Sequence, residues 1–261
     1  MSDFYVDTLN KLIHQGVLAR TSRVLVVCGG PRDQQALLEC GFENVVISNL
    51  DSRMTGNEFA PFDWSFQDAE QLEYEDDCFD FCVAHSGLHH CRSPHRALLE
   101  MYRVSRKGVI VFEPLDNAVC RLGVRLGLGQ DYELAAVAGN DYAYGGLKNT
   151  PIPNYVYRWT EREIEKAIQS NCPLGKHRFR YFYRLRVPWE RTQLMNSRLL
   201  YLAFAALMPL ARLFTLAFPH ASNNFAFVVQ KPDLPSDLYP WLTQDADDIR
   251  LDTAWVKQLY R

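Results

Sequence analysis

The sequence predicts an α/β fold in which a mostly parallel, doubly wound sheet carries helices on both faces. Three observations predict it. Short apolar runs alternate with segments of helical spacing over residues 1–114, which is the rhythm of such a sheet. The first run is apolar at every position, as in a strand buried on both faces. A glycine turn at residues 28–30 joins that run to the next helical segment.

The opening unit is helix, strand, glycine turn, helix, strand. Residues 4–15 place apolar side chains at helical spacing, and residues 23–27 form the first strand. Pro31 begins the next helix and Gly41 ends it, because proline suits a first helical turn and glycine a helix C-terminus. Residues 44–49 follow as the second strand.

The same alternation continues to residue 114. Residues 62–66 and 79–84 are the third and fourth strands, and residues 108–114 are the fifth. Ser93 as N-cap and Pro94 at the first helical position begin the helix between the last two.

The pattern then loosens before the sheet is completed. Residues of about 115–160 lack clear periodicity, which predicts an inserted cap over the site. Residues 176–187 and 224–230 complete a Rossmann-like, seven-stranded sheet. We therefore expect one domain over residues 1–230 and a C-terminal tail over residues 231–261, in which a closing helix is expected.

An apolar segment at about residues 197–218 precedes the last strand. From residue 199 it carries one charge, Arg212, and is nominally long enough to cross a bilayer. A crossing would separate two strands of one sheet, so topology disfavours it. Two interpretations stay open: a buried helix kinked at Pro209, or a helix that lines an apolar acceptor pocket or rests on the membrane surface.

Composition, charge and cysteine spacing indicate which binding partners and which cellular compartment to expect. Hydrophobic residues make up 48% of the 261 residues, and the net charge of −3 gives no reason to expect nucleic-acid binding. The seven cysteines are scattered and form no C-x-x-C pair, so we expect no metal site and reduced thiols. The acidic, amphipathic N-terminus does not read as a secretory signal, which favours the cytoplasm.

The glycine turn is the first candidate binding element. At Cys28, Gly29 and Gly30 the backbone could approach a ligand closely, with helix N–H groups aimed at its polar end, or the turn could hold no ligand. It does not spell G-x-G-x-x-G, which disfavours a nicotinamide oxidoreductase. Asn49 and Asp51 follow the second strand, where a ribose diol is held in such folds.

Three further motifs follow in order. They are QDAEQL at residues 67–72, DCFDFCVAHSGLHH at residues 77–90, and Pro94 followed by LLEMYRV at residues 98–104. In this order and spacing, residues 22–114 closely resemble the class I S-adenosylmethionine-dependent methyltransferases of the type 11 group.

The resemblance implies S-adenosylmethionine as cofactor and assigns parts of its site. The glycine turn would face the methionine part, and the polar residue ending strand two would hold the ribose. Asp68 would accept a hydrogen bond from the adenine amine with Ala69 beside it, and His85 is a further candidate contact of the cofactor.

The first motif departs from the family pattern. Val26 stands where an acid is common, Cys28 where glycine is usual, and Arg32 where the last glycine would be. These departures favour the alternative that the chain is a non-catalytic scaffold or binding subunit with the same fold.

Methyl transfer demands mainly that an acceptor atom be held in line with the sulfonium methyl, and a base helps when the acceptor is a hydroxyl. His89 and His90 follow strand four at the carboxyl edge of the sheet, where ligands bind. Similar quinone-ring methyltransferases carry a proton-handling residue at the position of His89. We therefore expect His89 to be the base, with His85 as second choice, although the pair could instead orient a helix or the cofactor.

Other side chains could meet the acceptor or only pack. The candidates in and beside the cap are Tyr142, Tyr144, Tyr157 and Glu113. Four arginines of the sixth strand could attract an anionic acceptor or form a solvated sheet edge. These are Arg178, Arg180, Arg184 and Arg186. The sequence thus predicts methyl transfer to a small molecule, at oxygen by preference, with a glycan or lipid-linked intermediate as a candidate.

Overall fold

A computed structural model describes residues 3–186, 198–245 and 248–260. The seven strands of the main sheet are β1 (Val24–Val27), β2 (Val45–Asn49), β3 (Asp63–Phe66), β4 (Phe79–His85), β5 (Ser105–Pro114), β6 (Arg178–Arg184) and β7 (Asn224–Gln230). A separate hairpin pairs β8 (Leu242–Asp245) with β9 (Asp248–Leu251). The α-helices are α1 (Phe4–His14), α2 (Pro31–Cys40), α3 (Pro94–Val104), α4 (Ala118–Arg125), α5 (Leu134–Ala138), α6 (Glu161–Asn171), α7 (Arg198–Ala217) and α8 (Thr253–Leu259).

The sheet order is β3-β2-β1-β4-β5-β7-β6, and only β7 runs antiparallel to its neighbours. This confirms the predicted Rossmann-like, seven-stranded, mostly parallel sheet. The chain winds outward from β1 in both directions, because β1 pairs with both β2 and β4. In such sheets ligands bind outside the carboxyl ends of the strands at this switch point.

Helices cover both faces of the sheet, and alternate residues of each strand point to opposite cores. Leu25 and Val27 join the core that includes Trp159, and Val24 and Val26 join the core that includes Tyr5. The residues of β1 are therefore apolar throughout because both of its faces are buried. A rigid strand of this kind holds the following glycine turn in place.

The structure refines several predicted elements. Strand β5 begins at Ser105 rather than at residue 108, because α3 runs directly into it. The cap segment (residues 115–160) contains α4 and α5. The tail carries the expected closing helix and also the β8–β9 hairpin, which the polar sequence did not predict.

Helix α7 contains Pro209 and exposes much of its apolar surface. Its most exposed large side chains are Leu202, Leu207, Leu210, Leu213 and Leu216. The interpretation as a buried helix is therefore wrong. Over the described ranges, α7 included, no helix combines the length and hydropathy that a membrane span requires.

Candidate functional site

A cavity of about 330 Å³ lies at the carboxyl ends of β1, β2 and β4, and this volume falls in the range of small-molecule sites. The cap segment contributes part of its wall, including Lys148 and Asn149. Most of the residues predicted to contact the cofactor line it. They are Cys28, Gly29, Gly30, Asn49, Asp51, Asp68 and Ala69. Segments that are distant in the chain thus converge on one space.

The two glycines of the turn serve different purposes. A Cβ on Gly29 would lie 2.8 Å from methyl carbons of both Ile47 and Val26, so this position has no room for a side chain. A Cβ on Gly30 would meet nothing within 4 Å, and Gly30 is the N-cap of α2. The Gly30 N–H donates to Asp33 Oδ2 at 2.9 Å. Gly29 is therefore required by packing, whereas Gly30 keeps the cavity open.

Cys28 occupies a backbone conformation that favours glycine. Its φ of +56° lies in the left-handed region, which explains why glycine is usual at this position. A Cβ on Gly87 would overlap the Cβ of Cys28. The turns after β1 and β4 therefore touch, and this contact requires glycine at position 87.

The polar residues that follow β2 have distinct partners. Asn49 Nδ2 donates to the Gly29 carbonyl oxygen at 2.8 Å, and Asn49 Oδ1 accepts from the Asp51 N–H at 3.0 Å. Asp51 accepts from Arg53 Nε at 2.8 Å and from Arg53 Nη2 at 2.6 Å. The hydrogen bonds from Arg53 lower the pKa of Asp51, so its carboxylate is charged. Asn49 thus holds the turn, while Asp51 brings negative charge to the cavity.

Asp68 is held by the cap segment. Its Oδ2 lies 2.8 Å from Lys148 Nζ, and its Oδ1 accepts from the Glu70 N–H at 3.0 Å. Lys148 Nζ also lies 3.1 Å from Glu70 Oε2. Burial raises the pKa of Asp68, but the contacts with Lys148 and Glu70 outweigh it and the net shift is downward. Sequence reasoning missed Lys148, because no periodic pattern identifies a contact across 80 residues.

His85 points away from this cavity. Its ring stacks on Tyr5 at 4.7 Å between centroids and packs against Phe112. Burial lowers the pKa of His85 to about 4, so the ring is neutral at ordinary pH. The structure therefore does not bring His85 to the cavity wall.

His89 lies behind the cavity wall, between two carboxylates. Its Nδ1 is 2.6 Å from Oε2 of the buried Glu113, and its Nε2 is 3.2 Å from Glu133 Oε2. Burial disfavours the charged imidazole, but Glu113 and Glu133 outweigh it and raise the pKa of His89 to about 10. Held in this way, the ring keeps its proton at neutral pH, which does not suit the predicted role of a base.

His90 lines the cavity where His89 does not. Its Nε2 lies 3.4 Å from Glu133 Oε2, and burial together with the neighbouring His89 lowers its pKa. Glu133, which the sequence did not identify, belongs to the cap segment and contacts both histidines. The structure thus assembles a His89–His90–Glu133 cluster beside the cavity.

The other sequence candidates pack outside the cavity lining. Tyr142 is exposed, the Tyr144 ring lies under Arg53 at 4.0 Å, and the Tyr157 hydroxyl donates to Glu163.

The β6 arginines mostly face partners on neighbouring elements. Arg178 pairs with Asp237 at 3.0 Å and Arg184 with Asp7 at 3.3 Å, while Arg180 donates to Gln230 Oε1. Because these contacts lie along the outer strand of the sheet, they favour the sheet-edge interpretation of the run.

The chain is similar to known proteins in part of its sequence and in its fold. Residues 25–112 match the methyltransferase domain family. The YcgJ protein of Bacillus subtilis is 12% identical, with 87% of this chain and 99% of that chain covered and a TM-score of 0.51. None of the curated protein sequences matches the chain.

Two further solved structures share the fold. Magnesium protoporphyrin IX methyltransferase from Synechocystis PCC 6803, crystallised with bound S-adenosylhomocysteine, is 12% identical, covering 87% and 82% of the two chains with a TM-score of 0.50. The [4+2]-cyclase SpnF is 17% identical, covering 87% and 80% with a TM-score of 0.50. Because a [4+2]-cyclase shares the fold, the fold alone determines neither the acceptor nor the reaction.

Proposed function

We propose that this chain is a class I S-adenosylmethionine-dependent methyltransferase and that it methylates an oxygen atom of a small-molecule acceptor. A glycan or lipid-linked intermediate is the acceptor class that we favour. The observation that carries the proposal is the convergence of Gly29, Asp51 and Asp68 on one cavity.

Each part of the cofactor has a matching group in that cavity. The glycine turn and the N-terminus of α2 suit the charged methionine part. Asp51 carries the carboxylate that a ribose diol requires, because the Asn49 amide is already bonded to the Gly29 carbonyl. Asp68, with the buried Ala69 beside it, suits the adenine amine.

Proton handling falls to the His89–His90–Glu133 cluster. An acceptor hydroxyl must lose its proton as the new carbon–oxygen bond forms. His90 lines the cavity and is part-exposed, so an acceptor there reaches His90, and the part-exposed Glu133 lies directly beside it. His89 supports the other two through Glu133 and does not itself reach the cavity lining.

A lipid-linked acceptor would agree with the surface of α7. Leu210, Leu213 and Leu216 recur at intervals of three along the helix and are all exposed. Helices α4 and α7 contain arginines and no acidic residue, although the whole chain is acidic. Exposed apolar helices that carry basic and no acidic residues bind anionic membrane surfaces, and we propose that α7 makes peripheral membrane contact.

Co-sedimentation with vesicles of anionic lipid tests this contact. We expect serine substitution of Leu210, Leu213 and Leu216 together to abolish binding. The matched control replaces three exposed leucines elsewhere, Leu38, Leu251 and Leu259, with serine. Equal loss in both variants would remove the membrane proposal.

The seven free cysteines, all within the described ranges, support a cytoplasmic location for the protein.

Calorimetric titration with S-adenosylhomocysteine tests the cofactor site. We expect Asp68→Asn to weaken binding about tenfold or more, because a hydrogen bond to a charged group contributes about 1.5–3 kcal/mol. Asp63→Asn, an exposed acid at the opposite end of β3, is the control and should bind normally. Absence of binding at millimolar ligand would favour the non-catalytic scaffold instead.

The acceptor is tested with labelled S-adenosylmethionine and matched acceptor pairs. Each pair presents a hydroxyl or an amine on the same glycan or lipid-linked skeleton. We expect label in the hydroxyl compound. Transfer to the amine alone would overturn oxygen as the acceptor atom while leaving the cofactor assignment intact.

A further inference from the structure

The His89–His90–Glu133 cluster has the donor set and geometry of a metal site. One ligand atom from each residue lies within 4.8 Å of the other two. Glu133 Oε2 is 3.2 Å from His89 Nε2 and 3.4 Å from His90 Nε2. Ligand atoms about 2.0–2.1 Å from a tetrahedral zinc ion lie about 3.3 Å apart. The two distances from Glu133 therefore match those around a bound ion, and the two histidine nitrogens, which lie within 4.8 Å of each other, would move to about 3.3 Å apart when the ion binds.

Neighbouring side chains hold His89 and Glu133 in place, as hydrogen-bond partners of metal ligands usually do. His89 Nδ1 is bonded to Glu113 Oε2 at 2.6 Å, and Glu113 is fully buried, so Nε2 is the nitrogen left for the ion. Zinc would displace the proton that Nε2 holds in the metal-free protein. A carboxylate on the second ring nitrogen is the usual partner of a metal-binding histidine. Asn154 Nδ2 lies 3.5 Å from Glu133 Oε2 and donates to the His89 carbonyl at 3.0 Å. Buried groups thus fix both His89 and Glu133.

We propose that His89, His90 and Glu133 bind one zinc ion. Two histidines and one glutamate are a common ligand set of zinc sites that keep an open coordination position. The sequence predicts no metal because its cysteines lack ligand spacing, whereas the ligands here come from a turn after β4 and from the cap segment, 44 residues apart.

The open position would face the acceptor side of the cavity. His90 lines the cavity, while His89 lies behind it, so the free side of the ion is toward the cavity. A zinc ion holding an acceptor hydroxyl lowers the pKa of that hydroxyl and so favours its deprotonation. This consequence rests on the proposed methyl transfer, but zinc binding itself does not.

Zinc titration of the full-length protein tests the site. The protein is first dialysed against a chelator, and zinc is then added in competition with a chromophoric chelator. We expect one equivalent to bind, and His90→Ala and Glu133→Gln each to weaken binding at least tenfold. His14→Ala removes an exposed histidine of α1 and should bind zinc like the parent protein.

Thiols of the same cavity need a separate control, because Cys28 and Cys91 also line it. We expect Cys91→Ser to retain zinc binding and the cobalt-substituted protein to show no thiolate charge-transfer absorption. Glu113→Gln should weaken zinc binding tenfold to a hundredfold while circular dichroism shows a folded protein. Binding that is lost in Cys91→Ser but kept in His90→Ala would overturn the proposal, as would binding below a tenth of an equivalent.

Titration of the metal-free protein with S-adenosylhomocysteine separates the two proposals. Zinc binding without cofactor binding would leave the metal site standing and remove the methyltransferase assignment of the cavity. Cofactor binding without zinc binding would do the reverse.

Discussion

Lys148 Nζ lies 2.8 Å from Oδ2 of Asp68, the residue that we assign to the adenine amine. Lys148 belongs to the cap segment and Asp68 follows β3, so the contact joins two walls of the cavity. The ammonium and the adenine amine therefore compete for one carboxylate. Cofactor binding must break this ion pair or share it.

Replacement of Lys148 should strengthen cofactor binding. Both side chains are about one-third exposed, and exposed pairs of this kind contribute about 0.2–1 kcal/mol. We expect Lys148→Met to bind S-adenosylhomocysteine up to about fivefold more tightly by calorimetry. The exposed Lys166, replaced in the same way, controls for the lost charge. Weaker binding in Lys148→Met would show that the ammonium contacts the cofactor instead.

Cys28 and Gly87 should behave as a coupled pair. Gly87→Ala places a Cβ against that of Cys28, and overpacking of this kind destabilises a fold by about 1–3 kcal/mol. In a Cys28→Gly background the same substitution should cost less than about 0.5 kcal/mol, because the opposing Cβ is gone. Chemical denaturation of the four proteins measures the coupling. Additive effects would mean that the two turns do not touch.

Substitution of Gly29 should affect the stability of the protein, whereas substitution of Gly30 should affect cofactor binding. Gly29→Ala should lower the melting temperature by several degrees, because its Cβ meets Ile47 and Val26 at 2.8 Å. Gly30→Ala should leave the melting temperature nearly unchanged and weaken S-adenosylhomocysteine binding, since Gly30 lines the cavity and has open space beside it. Thermal melts and calorimetry on the two variants test this, and a reversed pattern would contradict the assigned roles.

His85 should make the fold sensitive to acid. Burial lowers its pKa from 6.5 to about 4 in the folded state, so between these values the unfolded chain binds the proton more readily. The stabilisation is therefore complete above pH 6.5 and is lost as the pH falls through 4, by up to about 3 kcal/mol.

The variant His85→Phe keeps a ring on Tyr5 but has no proton to bind. We expect its free energy of unfolding to fall less than that of the parent protein between pH 7 and pH 4.5. The difference between the two denaturation series isolates this histidine from other titrating groups. Parallel pH profiles would show that His85 is solvated in the folded protein.

The sequence predicted the sheet because its signals are local. The apolar runs of β1 and β4 and the N-cap at Ser93 each lie within a few residues of what they determine. The resemblance then supplied the residues around the cofactor.

Contacts made by the cap segment could not be predicted from such local signals. Glu133 contacts the two histidines and Lys148 contacts Asp68 from a segment without periodicity, across 44 and 80 residues of chain. His89 was a reasonable base from its position after β4, but only the structure shows the buried Glu113 behind it. The pKa of a side chain such as His89 depends on the charged groups that the fold places beside it, and the order of residues in the chain does not reveal those groups.

The stretch from Glu133 to Lys148 joins the two histidines to the cavity wall, with its first residue beside the histidines and its last at Asp68. Binding of the nucleoside at Asp68 therefore displaces Lys148, and with it the segment that positions Glu133 beside the histidines. We expect steady-state kinetics with an ordered sequence, nucleoside first, so that S-adenosylhomocysteine inhibits competitively against the methyl donor and noncompetitively against the acceptor.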